Sequence, residues 1–400
     1  MARVAIRLLI SLLALVSVAS AANTSGLRID GVFLPQASLG LLLAGLPTQP
    51  KASDFEAGVI DNRLLAEWAQ PKLSADVTHD IDREVEAEVM QILGAQFSET
   101  IMPPATLLPV DEAAWRRVMK PASAGSGFKL TRQQRQQAET LNIAQLSMAK
   151  QNLRVTLLDV YERESIQGLA ELHGMSREYL QRRATDLLQQ RWQLQRWQEE
   201  GRFDTASLAG LTRIVQDKQL KQRWLQEQGL IGDFHHESTV AQDRWRRVSQ
   251  AAIKQYYDAN LDRFRQVDQV EADVLLLRSQ AAADATYQAL RGGLSFAEAV
   301  RREGAPGSGA LGVLRNDGSV TSLLQKLALL QQVGISRPFR IGEQWAIYQV
   351  RQRRERLLPI TDPSVRHECA RAVAKMEAQS EFDELRERLR RVAKIERINP

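Results

Sequence analysis

Residues 266–352 constrain this chain more than any other stretch. Their pattern runs strand, helix, short helix, Gly-rich turn with strand, helix, strand. The opening strand is Val270-Glu271-Ala272-Asp273-Val274-Leu275-Leu276, and the closing one is Gln344-Trp345-Ala346-Ile347-Tyr348-Gln349-Val350. Strands that come singly between helices must pair across long stretches of chain. The segment therefore predicts a mixed α and β unit, set within flanks that read as almost purely helical.

The first 21 residues carry an address. Arg3 and Arg7 give a positive start with no acid, and Leu8 to Val18 is an apolar run of 11 broken only by Ser11 and Ser17. Ala19-Ser20-Ala21 offers the small residues of a cleavage site, so residues 1–21 predict a secretory signal peptide cut after Ala21. The run is too short for a bilayer core of about 30 Å. An uncleaved anchor is the alternative. Leu39 to Leu46 is apolar but also far too short to span.

Without Arg3 and Arg7 the mature chain holds 51 basic and 48 acidic side chains, a net of +3. That balance, with bases and acids intermixed, argues against nucleic acid. The single cysteine, Cys369, has no partner for an internal disulfide, and its amphipathic helical setting predicts burial. Six per cent aromatic and 25% charged residues suit a helix-rich globular chain of two or three domains.

Along the chain, 26–33 reads as a short strand with a turn at Asp30-Gly31, followed by a helix to about Gly45. Phe55, Val59, Ile60, Leu64, Leu65 and Trp68 give helical spacing from Asp54 to Gln70. Ser74 opens a helix to about Phe97, and Met102-Pro103-Pro104 breaks the pattern. Ala122 to Gly127 reads as a loop. Residues 131–229 read as nearly all helical, with a cap at Ser176 and breaks at Gly201, Gly210 and Gly229. One more helix is expected over 237–262. A turn at Asp362-Pro363 leads into a long helix from Ser364 to about Val392 and a short terminal strand, Ala393 to Ile398.

Several phrases carry a resemblance. Tyr256-Tyr257-Asp258-Ala259-Asn260 with Phe264 stands just before the strand at 270. Ile29-Asp30-Gly31-Val32, Val59 to Ala66 and Leu169 to Leu180 precede it in order, and the helix and strand of 364–398 follow. Together with 266–352, these resemble the exported parvulin-type peptidyl-prolyl isomerases and the SurA-type periplasmic chaperones. The likeness covers about 27–70, 165–200, 250–352 and 364–398; residues 71–160 and 200–245 match nothing in it. It implies an α+β chain: a helical chaperone-like domain over 22–262, an inserted parvulin-like domain over 263–355, and a C-terminal helix and strand over 356–400 packing on the first domain. The inserted domain is expected to hold a four-stranded antiparallel sheet with covering helices. The implied partners are unfolded or extended segments of exported proteins, in the periplasm, with no cofactor.

Turning a prolyl bond means crossing a barrier of about 18–20 kcal/mol set by amide resonance. A catalyst must grip the ring and favour the twisted amide over the planar one. The family pattern supplies two histidines on central strands and a nearby acid or thiol. Here the first histidine position is Val274 and the second is Ala346, while Ala310 replaces the acid of the Gly-rich strand. None of the five histidines falls within 266–352. The apolar pocket is better kept. Val320 and Leu324 follow Gly318, and Leu275, Leu276, Phe339 and Trp345 complete a groove; Leu276, Val320, Leu324, Phe339 and Trp345 are the expected substrate contacts. Val320 and Leu324 also fit an ordinary core pair at i, i+4. The expectation is a binder with weak or no isomerase activity.

Two alternatives remain. An active isomerase with a rearranged site would use Asp273, Tyr348 and Glu343. A dedicated assembly subunit would use 71–160 to hold one envelope partner. His235-His236 lack the spacing of a metal site. Trp192, Trp197 and Trp224 suit either helix packing or a peptide surface. Arg386 to Arg391 reads as a solvated face of mixed charge.

Overall fold

The computed structural model describes residues 25–73, 75–97, 102–119, 128–148, 152–232 and 238–399. The expected signal peptide, the Ser74 cap, the 122–127 loop and His235-His236 lie outside them. The chain forms two compact units, 1–238 with 378–400, and 239–377.

The first unit opens with a hairpin, β1 (Gly26–Ile29) and β2 (Val32–Pro35). Its turn residues Asp30 and Gly31 both have positive φ, 46° and 83°. That backbone suits Asp-Gly, and its twist matches the strands it joins. Helices α1 (Gln36–Ala44), α2 (Ala52–Ala69) and α3 (Ala75–Gly94) follow. After them come β3 (Thr106–Leu107), α4 (Glu112–Met119), α5 (Arg132–Thr140), β4 (Asn142–Ser147) and β5 (Asn152–Thr156). Four helices close the run: α6 (Leu157–Tyr161), α7 (Ile166–His173), α8 (Arg177–Glu199) and α9 (Thr205–Glu227).

Two differences from the helical expectation stand out. Strands β3, β4 and β5 form an antiparallel sheet in that order, and β4 and β5 lie inside the stretch read as helix. Ile143, Leu146, Leu153 and Val155 are buried on it, while Gln145 and Arg154 pair across it. Also, Gly210 breaks nothing. It lies inside α9, where a Cβ would sit 2.2 Å from Ser38 Oγ. Only glycine lets α9 come this close to α1. Trp192, Trp197 and Trp224 are all buried in apolar cores of this unit.

The second unit starts with two helices rather than one. These are α10 (Thr239–Arg247) and α11 (Gln250–Ala259), the latter capped by Ser249, whose hydroxyl accepts from Ala252 N at 3.2 Å. A 3₁₀ turn (Leu261–Phe264) delivers the chain into the long strand β6 (Arg265–Leu277). Then come α12 (Gln280–Arg291), α13 (Phe296–Glu303), β7 (Gly309–Arg315) and α14 (Leu323–Leu329). Two short strands, β8 (Gly334–Ile335) and β9 (Phe339–Ile341), precede the second long strand, β10 (Gln344–Leu357). The sheet is antiparallel, ordered β7-β6-β10, with β8 and β9 both on the outer edge of β10. It thus has five strands, not four, because Ser336 to Pro338 interrupt the outer edge.

The Tyr-Tyr…Asn…Phe phrase fastens the base of this sheet. Tyr257 stacks on Phe264 at 5.2 Å and donates to the Leu358 carbonyl at 2.7 Å. Helix α15 (Pro363–Val392) begins in this unit, where Val365, Cys369 and Val373 pack on the same cluster. Cys369 is buried, and burial raises its thiol pKa. The helix ends in the first unit, and β11 (Ile395–Ile398) then pairs antiparallel with β1.

Candidate functional site

Side chains alternate faces along a strand, so the sheet of the second unit has two separate interiors. Val270, Ala272, Val274 and Leu276 of β6 face one way, together with Ala346, Tyr348 and Val350 of β10. Helix α14 covers this face through Ala328 and Leu329, with Leu324 and Leu327 half-buried beside them. Leu275, Leu277 and Ile347 face the other way, under α12 and α13.

The register brings the two expected histidine positions together. Val274 lies directly across from Tyr348, and Ala346 directly across from Leu276. Val274 and Ala346 are therefore diagonal neighbours on one face, and both are fully buried. Ala310 pairs with Asp273 on the β7 side and is exposed.

Of the expected groove, Leu276, Val320, Leu324 and Phe339 share the α14 face. Leu276 forms its floor, and the other three are half-buried. Trp345 does not join them. One position before Ala346, it points to the opposite face and packs against the cluster under α12 and α13. The W-A-I-Y alternation already carried that signal. Leu311, Leu327 and Ile341 line the groove as well, unanticipated because each lies outside the quoted motifs.

The three polar candidates do not converge. Glu343 is exposed in the turn between β9 and β10. Asp273 is 7% exposed and points away from the groove. It is ion-paired with Arg351, the extra residue of a bulge in β10, which also donates to Glu271 at 3.2 Å. Among the described residues, the buried side chain of this unit with a hydroxyl outside the tyrosines is Thr286, which sits on α12, on the far side.

Tyr348 is the group that does occupy the groove. Its ring is fully buried, stacked on Phe339 at 5.7 Å with an interplanar angle of 13°. Its hydroxyl donates to the Leu324 carbonyl at 3.0 Å. Burial pushes its phenol up to about 12, so it stays protonated at neutral pH with its one proton engaged. The described histidines are elsewhere: His173 contacts Tyr161, and His367 meets the Trp245 ring edge-on. The face under α14 is apolar, and its buried phenol already has its proton engaged.

Residues 248–387 match the family model of the PPIC-type PPIASE domain. Among solved structures, the chain is similar to the peptidylprolyl isomerase PrsA from Bacillus anthracis: 17% identity, 47% of this chain and 78% of that one, TM-score 0.21. PrsA from Bacillus subtilis gives 16% identity, 60% and 89%, TM-score 0.20. A chain from the work on two SurA-like chaperones of Campylobacter jejuni gives 15% identity, 56% and 86%, TM-score 0.24. No curated protein matches the chain. Among the described residues, no helix is long and apolar enough to cross a membrane.

Proposed function

Starting from residues 248–387 as a parvulin-type domain, we propose that this chain is an exported folding factor that binds polypeptide more than it isomerises it. Its partners are unfolded or proline-containing segments of envelope proteins, met in the periplasm after loss of residues 1–21. In this reading the parvulin-like domain is 263–355, residues 239–262 and the start of 356–400 pack in the same unit, and 22–238 with 378–400 forms the other body.

One observation carries this reading: Val274 and Ala346 face the same apolar groove where the family pattern has imidazoles. Aliphatic side chains cannot stabilise a twisted amide by hydrogen bonding, so nothing there favours the transition state over the planar bond. Binding survives that loss. Burying one Leu- or Phe-sized side chain is worth about 1.5–3 kcal/mol. A contact of that size holds an extended segment briefly and releases it. The contacts proposed are Leu276, Val320, Leu324 and Phe339, with Leu276 as floor. The separation of Asp273 and Glu343 from Tyr348 speaks against a rearranged catalytic cluster.

The test is made on the full chain. A protease-coupled prolyl isomerisation assay is run beside light scattering of an unfolded outer-membrane protein on dilution from denaturant. Suppressed aggregation with a near-background isomerisation rate is expected. Rapid isomerisation abolished by Asp273→Ala would replace this reading with the rearranged enzyme.

A further inference from the structure

We infer that Tyr348 is the specificity-determining side chain of the groove: it fills the space between sheet and helix α14 above Val274 and Ala346, so a proline ring cannot descend to the strands. The inference rests on the groove proposed above and says that it binds apolar segments without reading proline.

Tyr348 lies directly across from Val274 and two residues along β10 from Ala346, on the same face. An isopropyl and a methyl group leave room between strands and helix that only a larger neighbour can fill, because interiors are close-packed. The phenol is that neighbour. It has no exposed surface and lies flat against Phe339. Its hydroxyl reaches the Leu324 carbonyl, in the first turn of α14. The ring is thereby fixed at both ends, and the helix that roofs the face is tied to the sheet beneath. What stays open to a ligand is the rim, Val320, Leu324 and Phe339, each half-buried. An extended polypeptide segment meets this rim through its apolar side chains. A site that reads proline needs a deeper, ring-sized recess, and Tyr348 occupies it.

The test uses the full chain and two fluorescent peptides, identical except for Pro or Ala at the centre. The wild type is expected to bind both equally. Tyr348→Phe keeps the ring and is expected to keep that equality. Tyr348→Leu removes the ring and is expected to favour the proline peptide by at least about tenfold, the low end of what a methylene-sized pocket change gives. A wild type that already favours proline by that margin overturns the inference. So does a Tyr348→Leu variant, folded by hydrogen exchange at β6, that binds the two peptides alike. Methyl NMR of the wild type needs no variant. The proline peptide should shift Val320 and Leu324 but not Val274 or Ala346, and shifts at the latter pair overturn it. If the wild type binds neither peptide while Tyr348→Leu binds the proline one, the plug stands and the groove reading falls. If neither protein binds either peptide, both fall.

Discussion

Arg63 and Asp217 meet inside the first unit at 2.8 Å, and Asp217 is only 2% exposed. The pair is incomplete. One Asp217 oxygen and the Arg63 Nε have no partner, and Arg63 also donates to Glu67 at 2.8 Å. Burial raises the Asp217 pKa from 3.8 to about 7, against the opposing pull of Arg63 and Arg213. The sign follows from linkage. Below the unfolded value both states are protonated, and Asp217 adds nothing. Between about 4 and 7 the folded state alone keeps the proton, so stability falls as pH rises; above 7 the full cost remains. The thermal midpoint of the first unit is therefore expected to climb as pH drops from 8 to 5. Asp217→Asn should flatten that climb in scanning calorimetry. An unchanged slope would locate the proton elsewhere.

At the scale of elements, α9 shows how one missing side chain sets a packing distance. In an exposed helix, Gly→Ala stabilises by about 0.5–1 kcal/mol because glycine has more backbone freedom to lose. At Gly210 the sign reverses. A Cβ there would stand 2.2 Å from Ser38 Oγ and 2.8 Å from Pro35 Cδ. Ser38 cannot swing away without breaking its 2.8 Å bond to the Ser207 carbonyl. Gly210→Ala is expected to cost about 1–3 kcal/mol by overpacking, read as a lower urea midpoint at constant m-value. A neutral or stabilising result would mean that α1 and α9 part freely.

At the scale of the molecule, the first unit is discontinuous in sequence. It closes when β11 pairs with β1, bringing Ile395 opposite Ile29. Asp30 and Lys394 then exchange bonds: Asp30 N donates to the Lys394 carbonyl at 2.9 Å, and Lys394 N donates to Asp30 Oδ1 at 2.8 Å. Without β11 only a two-stranded hairpin remains, which is marginal alone. The inner backbone groups of β1 would also lose their partners. Deleting 393–400 is expected to lower the unfolding midpoint of the first unit. Hydrogen-exchange protection along β6 and β10 should be unchanged. Loss of protection in both units together would show that they fold as one.

The sequence by itself determined the elements with strong local signals. Asp30-Gly31 announced its hairpin, helical spacing over Asp54 to Gln70 announced α2, and the strand-helix order of 266–352 announced the sheet of the second unit. It did not disclose β4 and β5, where Gln and Arg alternate with apolar residues and composition alone reads as helix. It did not separate Trp345 from its neighbours, because a flat list of apolar residues ignores the period of two that assigns faces. Nor did it show the place of Tyr348, which became visible only when register set it against Val274 and when α14 brought the Leu324 carbonyl to its hydroxyl. Local pattern fixes what one stretch of backbone prefers. Which side chains fill one another's space is decided by contacts between residues far apart in the chain, and those exist only once the fold has closed.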